Sequence, residues 1–238
     1  WGFWRLPCLD TAIGLAHQAW TTWRIVTEEA AAELASSNHT YHALYRSRWE
    51  THCRTLAREA GVRIVNQQDT TVDPSVQILD SRPSPIPSDQ MMQNFIGWEV
   101  TAESGTFDPS MATLMDFRCD QSRGVHFIYV LPFSDSEALI ESTIFSCQRE
   151  PDDFFETAIS TYFKEHYGQH EYSVTRVENG AIPMGRLRRS PGPAIGLGGN
   201  GGAIKASSGY AFAFIQKQVA EIVASAKKRT NGLKIRPP

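Results

Sequence analysis

Between Phe95 and Phe145 four apolar, β-rich stretches follow one another with only polar turns between them: FIGWEV, ATLMDFR, GVHFIYVLPF and ALIESTIF. Such stretches read as strands, and their succession predicts an antiparallel sheet. The flanks read differently. WTTWRIV, residues 20 to 26, is rich in β-branched and aromatic types and predicts a strand. Apolar residues from Tyr41 to Ala60 recur at near-helical spacing, with Gly61 as a stop, and predict a helix feeding a strand Val62-Arg63-Ile64-Val65. A further strand, Val76-Gln77-Ile78-Leu79, runs into Asp80-Ser81-Arg82 and a Pro/Ser-rich stretch to Ser88 that suits a domain crossing. After the sheet, a helix is expected from about Asp152 to His166. Asp152 and Asp153 would cap its amino end, and Phe154, Phe155, Ala158, Ile159, Tyr162 and Phe163 would form its buried stripe. A strand Tyr172 to Val177, a Gly-rich loop 196–202 and a helix from about Phe212 to Lys228 complete the pattern. The expected fold class is α/β with an inserted antiparallel β-sheet, in two interleaved domains.

With 238 residues, 41% of them hydrophobic, the chain has enough apolar material for one large domain or two smaller ones. A formal charge of −3 without a long basic block argues against nucleic acid as a partner. Cys8, Cys53, Cys119 and Cys147 lack CxxC spacing, so they read as reduced thiols in a cytoplasmic protein. The seven histidines show no ligand spacing, and no metal site is expected. No apolar run approaches the roughly 20 residues that cross a bilayer, which leaves peripheral contact open. Two basic clusters, Arg186-Leu187-Arg188-Arg189 and Lys227-Lys228-Arg229, would suit anionic headgroups, although a solvated loop and helix end explain each one singly. The aromatic start Trp1-Gly2-Phe3-Trp4 and the end at Pro238 both read as cut points inside a longer protein.

The segment IGLGGNGGAIKASSGYAF, residues 195 to 212, joins a strand-like lead to a helix. Gly198, Gly199, Gly201 and Gly202 would let backbone amides approach a pyrophosphate or a flavin ring edge. The spacing is neither GxGxxG nor a Walker A, so an ordinary turn is the simpler reading of these residues by themselves.

Taken in order, however, Trp1-Gly2-Phe3-Trp4, LDSRP (79–83), QNFIGWEV (93–100), TLMDFR (113–118), FIYVLPF (127–133), ALIEST (138–143), GAIPM (180–184) and KASSGYAF (205–212) resemble successive blocks of the flavin-dependent lycopene cyclases of bacterial type. The resemblance implies a flavoprotein fold with interleaved domains: FAD-binding portions at 1–8, 40–88 and 179–230, a substrate domain at 9–39 and 89–178, and a further C-terminal region starting at 231–238. It also implies that the family's amino-terminal βαβ unit, with its GxGxxG turn, lies outside this chain. The implied cofactor is reduced FAD with NAD(P)H as its reductant, and the implied substrate is lycopene or a related carotenoid. The reaction would close a β-ionone ring without net redox change. Ring closure needs a strong acid in a dry pocket, stabilisation of a travelling cation and a base. Glu141 fits the acid, because a desolvated carboxyl stays protonated. The family's plant members carry a second acidic residue where this chain has Ser142. By alternation Glu141 shares a face with Leu139, Thr143 and Phe145, although an isolated strand Glu is more often solvent-facing. Asp116 is a second catalytic candidate or a partner of Arg118, and Arg82 either meets cofactor phosphates or pairs with Asp80. An FAD-dependent monooxygenase acting on an apolar isoprenoid is the alternative function, and a carrier of apolar ligands a third.

Overall fold

The computed structural model describes residues 1–65, 76–83, 85–168, 171–185 and 194–227. Its elements begin with β1 (Gly2–Trp4), α1 (Asp10–Gly14), β2 (Gln18–Trp20), β3 (Thr22–Val26), β4 (Ala31–Ala35), β5 (Tyr41–Ala43), α2 (Arg46–Glu59) and β6 (Leu79–Asp80). They continue with β7 (Met92–Ala102), β8 (Met111–Asp116), β9 (Val125–Pro132), β10 (Glu137–Ser146), α3 (Asp152–Tyr167), β11 (Tyr172–Pro183), β12 (Ile195–Gly196) and α4 (Phe212–Lys227).

A seven-stranded sheet in the order β11-β7-β10-β9-β8-β3-β4 organises the molecule. Strands β7 to β10 are those expected from the sequence, and they pair antiparallel. The sheet is nevertheless mixed, because β3, arriving from a distant segment, lies parallel to β8. Pleat alternation, interrupted by irregularities in the β3–β8, β8–β9 and β7–β11 pairs, gives the sheet two chemically distinct faces. On one, Ile96, Val100, Ile128, Val130, Ile140 and Ile144 pack against Phe155, Ile159, Tyr162 and Phe163 of α3. Each fully buried side chain of this size contributes about 1.5–3 kcal/mol, so this face alone holds α3 in place. On the other face, Ala112, Leu114, Phe127, Tyr129 and Leu131 meet Trp20, Tyr41 and Ala43 from a small sheet, β1-β5-β2.

Several expectations need correction. Val62–Val65 forms no strand; its apolar side chains are exposed, and among the described residues no strand lies beside it to pair with. Only Leu79–Asp80 of the next expected strand is regular, paired in parallel with Ile195–Gly196. WTTWRIV divides at Thr21, its two halves joining different sheets, and Tyr41–Ala43 is strand rather than the first turn of a helix. Strand β11 runs on to Pro183 because the long β7 offers it partners as far as Met92. Asp152 and Asp153 stand in the first turn of α3, where they complement the dipole, but no side chain caps that turn. In the expected stripe Phe154 and Ala158 are only partly buried. Arg186–Arg189 and residues 228–238 lie outside the described residues, so one basic cluster and most of the other do too.

Candidate active site

Glu141 sits in the middle of β10, flanked in register by Gly97 of β7 and Tyr129 of β9. Directly paired residues share a face, so its side chain lies on the side away from α3. There it lines a cavity of about 670 Å³ between the sheet, the small β1-β5-β2 sheet and the loop before α4. Phe95, Leu131, Phe133 and Leu139 supply apolar wall. The carboxyl is half-buried and accepts one hydrogen bond, from Thr143 Oγ1 at 2.7 Å. Burial, reinforced by the charge of Glu178, pushes its pKa up to about 8. At neutral pH Glu141 is therefore mainly a carboxylic acid, able to donate a proton.

Aromatic residues surround this acid. The Tyr210 phenol interacts with those of both Tyr41 and Tyr129, and burial raises the pKa of all three, so they stay neutral. Tyr210 reaches the cavity from a turn closed by the Lys205 amide on Tyr210 O, 2.9 Å, and the Gly209 amide on Lys205 O, 2.9 Å. Phe212, the next aromatic along, stacks on Trp1 with ring centroids 5.1 Å apart and fixes that turn to the amino-terminal layer. An uncharged wall of this type presents ring faces that stabilise a nearby cation.

One end of the cavity is charged. Arg176 Nη1 donates to Glu99 Oε1 at 2.8 Å, and its Nη2 lies 3.5 Å from Glu178 Oε2. Burial, first of all, raises the Glu99 pKa, with Arg176 opposing. The carboxylates and the arginine all come from β7 and β11, and His17 completes this end.

The remaining expected site residues lie elsewhere. Asp116 is fully buried on the α3 face, where Arg118 Nη2 (2.6 Å), Arg118 Nε (2.9 Å) and the Tyr162 hydroxyl (2.8 Å) donate to it. Burial works to raise its pKa, but the Arg118 and Tyr162 hydrogen bonds outweigh that and hold it below the usual range. The sheet separates Asp116 from Glu141. Arg82 makes a two-point ion pair with Asp80, at 2.8 and 2.7 Å, and its own side chain is largely exposed.

Gly198, Gly199 and Gly201 fall in a tight 3-10 turn, Gly198–Gly201, with Gly202 as its left-handed stop. The Gly198 amide donates to Gln218 Oε1 at 2.8 Å and is therefore not free for a ligand; Gln218 Nε2 in turn donates to Gly201 O at 3.1 Å. A Cβ at Gly201 would come within 2.5 Å of Gly196 O, so close backbone packing accounts for that glycine. None of the four lines the cavity with Glu141. Among the described residues no group of three or more His, Cys, Asp or Glu could hold a metal ion, and no helix is long and apolar enough to cross a membrane.

The model of a protein family described as lycopene cyclase protein matches residues 19–236. The chain belongs to the lycopene cyclase family. No curated protein matches it in sequence. Its fold is shared with a geranylgeranyl bacteriochlorophyll reductase-like protein from Thermoplasma acidophilum, at 11% identity and a TM-score of 0.68, over 95% of this chain and 68% of that one. The flavin-dependent brominase Bmp2 is similar at 13% identity and a TM-score of 0.57, over 94% and 66% of the two chains. A tryptophan C-6 flavin-dependent halogenase, Tar14, aligns at 15% identity and a TM-score of 0.52, over 83% and 43%. The chain thus spans about two thirds of the first two and less of the third, and these likenesses show a mixed α/β flavoprotein fold. Within this lycopene cyclase family member, sequence reasoning missed Gly97, Glu99, Arg176 and Glu178. The same-face spacing of Arg176 and Glu178 on one strand was the available signal, but only pairing with β7 brings them beside Glu141.

Proposed function

We propose that this chain carries the substrate side of a lycopene cyclase that closes a β-ionone ring on the linear end of lycopene or a related carotenoid. The observation that carries the reading is Glu141, held as a carboxylic acid in an aromatic-walled cavity large enough for an isoprenoid end group. Glu141 protonates the terminal alkene. The resulting tertiary cation is attacked by the neighbouring double bond, closing the ring, and a ring proton then leaves. Tyr41, Tyr129 and Tyr210 line the path of the cation with neutral ring faces, and the apolar wall limits capture by water. Asp116, on the other face, we assign to holding α3 rather than to the chemistry.

Two buried polar atoms near the cavity, Gln93 Oε1 and Ser208 Oγ, have no hydrogen-bond partner among the described residues. The edge of a flavin ring, with donors and acceptors of its own, fits that need. Gln93 and Ser208 would hold the ring there, and Arg82, fixed by Asp80, would meet the phosphates of FAD. Bound and reduced by NAD(P)H, the cofactor would supply an electron-rich ring that stabilises cationic charge. The FAD-binding portions and the substrate domain would follow the interleaved boundaries expected from the sequence.

Stoichiometry tests the reading. The full-length gene product, given reduced FAD and lycopene without oxygen, should form cyclic carotene with no reductant consumed in proportion to product. Oxygenated product, formed only with oxygen and with matching NAD(P)H consumption, would replace this reading by the monooxygenase.

A further inference from the structure

We infer that Glu178 is the base of this reaction, the partner that takes the ring proton while Glu141 supplies the first one. The inference rests on the cyclase reading above. Its geometric basis is one glycine. On β7, Gly97 is paired on one side with Glu141 and on the other with Glu178. A Cβ built on Gly97 would lie 3.4 Å from Glu141 Cβ and 3.3 Å from Glu178 Cγ. The two carboxyl side chains therefore flank a backbone that carries no side chain of its own, with Leu139 Cδ1 3.0 Å from the same point, and both line the cavity.

Their surroundings differ in the way an acid–base pair requires. Glu141 faces an apolar wall and receives one hydroxyl. Glu178 has Arg176 Nη2 3.5 Å from its Oε2, a counter-charge suited to an ionised carboxylate. Arg176 is itself held by Glu99 at 2.8 Å and stands over the Tyr45 ring, 5.6 Å from its centroid. Glu178 thus faces a cation, whereas Glu141 faces the apolar wall and Thr143. Glu178 is also one of the two causes that keep Glu141 protonated.

The proton balance closes within the pair. The Glu141 O–H bond breaks as a C–H bond forms on the terminal alkene, leaving a tertiary cation. The π pair of the neighbouring double bond forms the ring C–C bond. A C–H bond next to the new cationic centre then breaks, its electrons become the ring double bond, and the proton passes to Glu178. Transfer from Glu178 to Glu141 restores the resting state, favoured at one site by Arg176 and at the other by burial. No electrons or protons are gained or lost overall.

The test compares wild type, Glu141→Gln, Glu178→Gln and Glu178→Asp in the full-length gene product, measuring cyclisation rate against pH and the infrared titration of the Glu141 carboxyl. Charged or titratable groups around Glu141 are Glu178, Glu99, Arg176 and Tyr129 on the same sheet, with Tyr41, Tyr210, Tyr45, His17, Arg46 and the amino group of Trp1 around the rest of the cavity. Glu178→Gln should slow cyclisation by at least about 100-fold, as loss of a general base does. It should also move the alkaline limb of the rate profile, and the carboxyl titration, to lower pH, because the charge that held the Glu141 proton is gone. Glu178→Asp, which keeps the charge but withdraws it by one methylene, should lose less. It decides the question if Glu178→Gln does not fold, an unchanged rate in Glu178→Asp then overturning the inference. A Glu178→Gln rate within threefold of wild type would overturn it, as would a slow variant whose carboxyl titration had not moved. If wild type forms no cyclic product, the cyclase reading falls and takes the base with it. If wild type cyclises, Glu141→Gln does not and Glu178→Gln does, only the base assignment falls.

Discussion

The two faces of the seven-stranded sheet each bury a carboxyl group, and their fates are opposite. On the α3 face Asp116 is fully enclosed, yet three Arg118 nitrogens and the Tyr162 hydroxyl donate to it, and its pKa falls. On the cavity face Glu141 has one hydroxyl donor and a negative neighbour, and burial carries its pKa up to about 8. Burial pushes both carboxyl groups towards the protonated form; the partners supplied to the charged form decide whether that push is offset. Asp116 ties α3 to the sheet, whereas Glu141 is left with a proton to give.

The largest expected effect that would break this contrast is on stability. Asp116→Asn leaves Arg118 without its counter-charge and should destabilise the fold by about 3 kcal/mol in denaturant melts. Loss of activity without loss of stability would mean that Asp116 belongs to the chemistry after all. The Asp116 contribution should be present above the usual carboxylate range and disappear as pH falls through its lowered value, so the stability gap between wild type and Asp116→Asn should close in acid.

Next in size is the pH dependence of the rate. Because the proposed mechanism uses protonated Glu141, cyclisation should fall roughly tenfold per pH unit above about 8. A limb near the ordinary glutamate value would remove the special status of the cavity face.

Smaller again is the stability difference for Glu141→Gln. The folded pKa lies above the ordinary value of 4.5, so between 4.5 and about 8 the unfolded chain ionises while the folded one does not, and wild type loses stability as pH rises. The variant should match wild type at pH 4 and melt higher at pH 9, by about 2–4 °C if the net gain is 1 kcal/mol. A gap of the opposite sign would show that the Glu141 charge is favourably paired.

The smallest effect is expected for Ser208→Ala. Removing one unpaired hydroxyl at the cavity should weaken flavin binding by about tenfold, the worth of roughly one hydrogen bond, as read by fluorescence titration. No change would leave Ser208 outside the flavin site.

The sheet from Phe95 to Phe145 was legible because its strands are successive and their apolar residues alternate with the pleat. The same alternation correctly placed Glu141 with Leu139 and Thr143. What the sequence hid is non-local. Nothing in WTTWRIV says that half of it will lie parallel to β8, and nothing in a lone Gly97 says that it will separate two carboxyl groups 37 residues apart in the chain, Glu141 and Glu178. The glycines at 198–202 were legible as a turn, but their tie to Gln218, on a helix that begins ten residues later, was not. Val62–Val65 misled because β-branched residues favour strands only where a neighbour exists to pair with them.

The most direct test of the account is the pigment made by lycopene-accumulating cells that express the full-length protein or its Glu141→Gln variant at equal levels. Wild type should convert lycopene to a carotene with β-ionone ends, while the variant, folded to the same extent, should leave the pigment linear. Cyclic carotene from Glu141→Gln at the wild-type level would contradict the assignment of the acid.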